Sequence, residues 1–298
     1  MSAGIRQVLF VALLVVLTAC DDSKPPETSV TQTAQPEPVQ PPVILPVEEK
    51  AQVLVYLDAK TQPAQFVMPK CKDKTCPILE IESLNTQDPW LNTWLASRIA
   101  HVLMQQIEQE PKNFSLQQAI NRYVAASQEW QKQSVQNKAF ELKINSEIAY
   151  QKNAIVLLKL QVNSHQGQTK VTDRLYFFVA DRTTQKNLML KDVIAASKGK
   201  ALQKIVDQDY KKWLDKQDID VKTAAPEQLD WKTAEWFYDQ QGIGLHFRAG
   251  KISPTAEQLD IYLTYAQTQQ VLHPTFFKLL FNTQLKLEEQ DETKNRAA

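Results

Sequence analysis

The sequence predicts an α+β protein, antiparallel sheets with packed helices, carried on a tether. Three observations predict it. Helical and alternating apolar patterns come in separate blocks with no repeated βαβ rhythm. From Ala51 onward about 230 residues are patterned, enough to bury a sizeable core. Before that, residues 21–50 hold seven of the fifteen prolines and no glycine, which reads as a semi-rigid, disordered spacer rather than part of a core.

The chain starts with one basic side chain, Arg6, and an apolar run from Val8 to Leu17. A membrane-crossing helix needs about 20 apolar residues, whereas the apolar part of a secretory leader needs about 7–15 followed by small residues. Residues 1–19 are therefore expected to be a signal peptide. The competing reading, a buried strand that happens to end in cysteine, fits the flanking composition less well. Leu17-Thr18-Ala19-Cys20 resembles the lipobox of bacterial lipoproteins. The resemblance implies cleavage before Cys20 and attachment of lipid to its sulfur, with several acyl chains giving an anchor that one chain does not. Asp21 and Asp22 resemble the inner-membrane retention signal of enteric bacteria. The expected location is the cell envelope, lipid-anchored and facing the periplasm, with Asp21 pointing to the inner membrane.

Three cysteines leave an odd thiol unless Cys20 is lipidated, and then Cys71 and Cys76 remain as a pair. Four residues separate them, and closing so small a loop removes about 2 kcal/mol of unfolded-state freedom. The other reading of the pair is half of a metal site. It needs two more ligands; the nearest histidine is His101 and there is no second close cysteine pair. A disulfide is the favoured reading, and no metal or cofactor is expected.

The charge balance excludes one class of partner. Lys plus Arg and Asp plus Glu are each 34, and loss of the leader removes only Arg6, so the basic surplus of a nucleic-acid binder is missing.

Asp88 is a suitable N-cap for a helix with Pro89 at its first position, and Leu91, Leu95, Ile99, Val102, Leu103 and Ile107 follow at helical spacing. His101 sits beside that stripe as a core-edge histidine. A second helix starts at Ser115, with Gln118 completing a capping box and Leu116, Ile120, Tyr123 and Val124 facing inward. The pair is expected to form a helical hairpin. The period then changes to two. Phe140, Leu142 and Ile144 alternate with polar residues, Ile155 to Val162 do so loosely, and Arg174 to Asp181 is a β-branched and aromatic run. Gly167 marks a turn between the second and third of these strands. A helix over residues 200–214 follows, then a strand-rich unit in which Gly242, Gly244 and Gly250 bracket a short strand. In that strand the period of two sends Ile243, Leu245 and Phe247 to one face, and His246 with Arg248 to the other, as a wet face or a small cationic binding patch. Residues 282–298 read as a charged tail.

The order of these segments resembles the DUF4163 and DUF3298 pair of extracytoplasmic proteins, a family that includes the ectodomain of a lysozyme-sensing anti-sigma factor and a mycobacterial secreted antigen. The resemblance covers residues 70–280. It rests on the turn Ser164-His165-Gln166-Gly167, on Leu190-Lys191-Asp192-Val193-Ile194 and on the aromatic strand ending at Phe247; Thr183-Thr184-Gln185-Lys186 stands where the family has a glycine-containing turn, and Ser253-Pro254-Thr255-Ala256 where it has a tyrosine-containing loop. It implies a DUF4163-like α+β region over 51–196, a β-grasp-like DUF3298 region over 197–281, and a binding role at the envelope.

No catalytic constellation accompanies it. His101, His165, His246 and His273 are dispersed, Gly-x-Ser-x-Gly does not occur, and no glycine lies between Gly4 and Gly167 to build a phosphate loop. The expectation is a non-enzymatic lipoprotein that binds a protein or glycan partner, such as a lysozyme-like muramidase or peptidoglycan, with His165, His246 and Arg248 as candidate binding residues. The alternative is an enzyme acting on peptidoglycan, with His165 and Asp173 or Asp181 for acid-base work.

Overall fold

The computed structural model describes residues 56–71, 74–110, 113–252 and 258–281. Cys20, Asp21, the proline-rich stretch, Ser253-Pro254-Thr255-Ala256 and the charged tail lie outside them. Among the described residues no helix is long and apolar enough to cross a membrane.

Strands β1 (Lys60–Pro63) and β2 (Ile78–Asn85) are followed by helices α1 (Pro89–Gln106) and α2 (Leu116–Gln133). Then come β3 (Glu141–Lys152), β4 (Ile155–Gln166), β5 (Thr169–Asp181) and the short β6 (Lys186–Leu188). These six strands form one sheet in the order β1-β2-β3-β4-β5-β6. Its pairs are antiparallel except β2–β3, which is parallel. The sheet is thus mixed, with one parallel pair among antiparallel ones, within the expected α+β class. The physical reason is the connection. Parallel neighbours need a long crossover, and the connection through α1 and α2 is long enough to lay β3 parallel to β2, which a tight hairpin cannot do.

Local chemistry sets each element. The Asp88 carboxylate accepts from Leu91 N at 3.1 Å, capping α1, and its other oxygen accepts from Arg182 Nε at 2.9 Å. Ser115 and Gln118 close the capping box of α2 reciprocally. Cys71 and Cys76 are bonded, and their loop docks on α2, where Gln131 Nε2 donates to Thr75 O and Lys74 Nζ donates to Gln131 O. Gly167 turns β4 into β5 at φ 61°. A side chain there would also meet the Trp130 ring at 2.7 Å, so both backbone and packing require glycine.

The second part holds α3 (Leu190–Val193), α4 (Gly199–Leu214), α5 (Ile219–Ala224), β7 (Glu235–Tyr238), β8 (Ile243–Phe247), β9 (Leu259–Leu263), α6 (Tyr265–Val271) and α7 (Pro274–Phe281). Strands β7-β8-β9 form an antiparallel sheet. The expected strand-rich end is half helical. Thr264 and Gln267 form a capping box directly after β9 and start α6, and Pro274 stands at the first position of α7.

The six-stranded sheet has two different covers. On one face Leu142, Ile144, Leu158 and Leu160 pack in one apolar cluster with Leu95, Ile99, Leu103 and Tyr123 of the helical hairpin. On the other, Ile155, Leu157 and Val179 join a second cluster with α4, α6, α7 and the three-stranded sheet. The regions 51–196 and 197–281 therefore share a core.

Candidate functional site

The site is built where β5 passes β7 and β8. Strand β8 is buried on both faces. Ile243, Leu245 and Phe247 enter the second cluster as their spacing predicts. The opposite face is not wet: His246 is 1% exposed, with its ring 5.0 Å from that of Phe177 on β5. This corrects the expectation from period alone, because a half-buried alternation cannot show that a second sheet covers the polar side. Gly244 carries the neighbouring Phe237 ring, which a Cβ would meet at 2.0 Å.

Glu235, His246 and Asp260 lie in one row across the three strands. His246 Nδ1 and Asp260 Oδ1 are 2.6 Å apart, and the carboxylate is half-exposed. His246 Nε2 is buried with no partner among the described residues. Glu235 Oε2 accepts from Phe177 N at 2.8 Å, and Arg248 Nε stands 3.4 Å from Oε1. Burial raises the Glu235 carboxyl above its ordinary range, against the pull of Arg248, the Phe177 amide, His246 and Lys251. Both side chains of the Glu235–Arg248 pair are 18% exposed. Gln258 does for β5 what a strand otherwise would, its amide accepting from Leu175 N at 2.7 Å and donating to Asp173 O at 3.0 Å. With Glu235 it occupies three backbone groups of β5, Asp173 O, Leu175 N and Phe177 N, that the three-residue β6 does not reach.

Arg248 also lies 4.6 Å over the Tyr176 ring and donates from Nη1 to Gln105 Oε1 at 2.5 Å. Since that oxygen is taken, the Gln105 amide N–H donates to His101 Nε2 at 2.9 Å, which assigns a neutral His101 with its proton on Nδ1. Burial, with Arg98 and Arg248 adding repulsion, pushes His101 down to about 4. Here the histidine sits at the core edge, edge-on to Phe178 at 5.7 Å.

Two clefts flank the last turn of α1. The first, about 460 Å³, is lined by Gln105, Glu108, Arg174, Tyr176, Arg248 and Lys251, among others. The second, about 510 Å³, lies between α1, α2 and the Gly167 turn, and its walls include Gln106, Glu108, Trp130, Phe140 and Gln166. Gln106 Nε2 donates to Tyr176 Oη at 2.7 Å, and Gln166 Nε2 donates to Tyr123 Oη at 3.0 Å.

His165 stands elsewhere, on the bare part of the six-stranded sheet, in a row with Ile78, Glu141 and Lys170. A cleft of about 410 Å³ opens beside it. Asp181 pairs with Ile155 at the other end of β4, and ten residues of strand put it roughly 33 Å from His165. Asp173 accepts from Gln161 Nε2 at 2.7 Å. The structure thus brings His246 and Arg248 into one cluster and leaves His165 out of it. Among the described residues, no group of three or more His, Cys, Asp or Glu side chains is placed to hold a metal ion. Sequence reasoning missed Glu235, Gln105, Arg174, Lys251 and Trp130. Only Glu235 had a signal, a carboxylate opening the aromatic run Trp236-Phe237-Tyr238.

The two shared-core sheets and the helical hairpin define the class: an α+β fold of the DUF3298 type. The structure is similar to a DUF3298 family protein from Pseudomonas aeruginosa PAO1 at a TM-score of 0.55 and 18% identity, covering 75% of this chain and 97% of that one. It is also similar to a DUF3298 family member from Bacteroides fragilis NCTC 9343 at a TM-score of 0.50 and 14% identity, covering 76% and 96%. At these identities the likeness is one of fold. No family model matches the sequence, and no curated protein matches it.

Proposed function

We propose that the protein is a non-enzymatic lipoprotein of the cell envelope, anchored through Cys20, whose folded region binds a protein or glycan partner in the periplasm. The observation that carries this reading is the cleft beside Arg248. Beside it a run of polar groups on strands and on the end of a long helix is held by mutual contacts: Glu235 holds Arg248, Arg248 holds Gln105, and Gln105 holds His101. A catalytic base needs a free lone pair aimed at its substrate. A recognition surface needs side chains locked in place by their neighbours, and that is what the chain of contacts supplies. The DUF3298-type fold supports the reading further, through the envelope binding role expected of that resemblance.

A lysozyme-like muramidase is the protein partner to test first. The near-neutral chain offers a cationic enzyme no long-range steering, so contact complementarity must supply the affinity. Calorimetric titration of the purified protein with c-type lysozyme should give saturable heat and slowed lysis of cell walls. Absence of both at about 100 μM, well above a micromolar Kd, would exclude the muramidase. Mass spectrometry of the native envelope protein tests the anchor: the expected product begins at an acylated Cys20, and an intact Met1 would overturn it.

The cleft beside His165 favours a second reading, an enzyme acting on peptidoglycan. His165→Ala should abolish release of muropeptides if it holds, and unchanged release removes it.

A further inference from the structure

We propose that the two clefts flanking the last turn of α1 act together as one binding groove for a saccharide that carries a carboxylate. The inference rests on the binding role proposed above and gives it a ligand class.

The clefts are neighbours. Glu108 lines both, and the bond from Gln106 to Tyr176 Oη ties a wall of one to a wall of the other. Their chemistry differs in a way that one ligand would use. The Trp130 cleft has no Lys or Arg in its lining. It offers the indole and Phe140 for the apolar face of a sugar ring. It also offers the Oε1 atoms of Gln106 and Gln166, whose Nε2 groups are already bound to tyrosine hydroxyls, as acceptors for sugar hydroxyls. The Arg248 cleft is lined by three cations, Arg174, Arg248 and Lys251. Glu235 answers the charge of Arg248, whereas Arg174 and Lys251 make no ion pair among the described residues. Glu108 and Glu110 also line this cleft, so the positive excess is local to the Arg174 and Lys251 side. A guanidinium fork matches a carboxylate. Each cleft alone is within the roughly 300–1,000 Å³ of small-ligand sites.

A muramyl sugar and a uronic acid share this chemistry, and titration calorimetry on the purified full-length protein separates them. The probes are N-acetylglucosaminyl-N-acetylmuramic acid, digalacturonic acid and the neutral disaccharide chitobiose. At least one acidic disaccharide should bind about tenfold more tightly than chitobiose, the increment of one charge-assisted contact. Which acid binds names the source. Arg174→Gln removes an unpaired charge without opening the core. It should bring the acidic ligand down to the affinity of chitobiose and leave chitobiose itself unchanged. Trp130→Phe keeps a ring against Gly167 and should weaken every disaccharide about threefold. No saturable heat with any probe up to about 10 mM, or an acidic ligand unaffected by Arg174→Gln, overturns the inference. Lysozyme binding that persists in that case leaves the broader binding role standing, so the two failures are distinguishable.

Discussion

One face of the six-stranded sheet lies under two long helices, and the other lies partly under a second sheet and partly in water. The helical side is an apolar layer. Leu95, Ile99, Leu103, Ile144 and Leu160 are fully or almost fully buried there, and the hydrophobic effect fixes it without direction. The seam with the second sheet holds Glu235, His246 and Arg248 between aromatic rings, and the paired polar atoms there fix position because each contact has a particular partner. The first cover contributes most to stability; the second shapes the cleft beside Arg248.

Thermal or urea unfolding of point variants sharpens that contrast. Leu103→Ala, at the centre of the helical layer, should cost about 2–5 kcal/mol through lost transfer energy and a residual cavity. Arg248→Ala should cost about 2–3 kcal/mol because it strands a partly buried carboxylate. The double variant Glu235→Gln with Arg248→Met should lose less than Arg248→Ala does. A double variant as unstable as the single one would mean that the seam is held by packing and not by pairing. Replacing Cys71 and Cys76 by serine should cost about 2 kcal/mol, as expected for so short a loop.

The next effect depends on pH. His101 is held down to about 4, so the unfolded chain takes up this proton first as pH falls from about 6.5. The contribution of neutral His101 is complete above about 6.5 and is lost on descent to about 4. His101→Gln should remove part of the acid destabilisation over that window, on the order of 1 kcal/mol after solvent screening. If the two proteins lose stability in parallel, burial does not hold His101 neutral in the folded protein. Smallest of all, Lys159→Ala on the bare sheet breaks a contact with Glu147 and should change stability by less than about 0.5 kcal/mol.

Much of the helical side was legible because its signals are local. Asp88, Pro89, Ser115 and Gln118 state where the helices begin, and the apolar stripes state which way they face. The Gly167 turn and the Cys71–Cys76 bond were legible for the same reason. The parallel β2 was not, since Ile78 to Asn85 shows its meaning only beside β3. Thr264 and Gln267 are a capping box behind a strand pattern, and the strand pattern alone misled. The cleft residues were the least legible. Gln105, Arg174 and Arg248 are brought together from sequence positions with no shared period, and long-range packing writes no pattern into a single chain.

The side-chain seal along β5 carries a consequence for the protein in a crowded compartment. A long strand flank with open amides and carbonyls is a template on which another extended chain can grow. Here one glutamine and one glutamate occupy those positions. Replacing both with alanine would uncover a sticky border, and the population lost would go to self-assembly before it went to unfolding. Light scattering at temperatures where circular dichroism still reports a native protein would register that route.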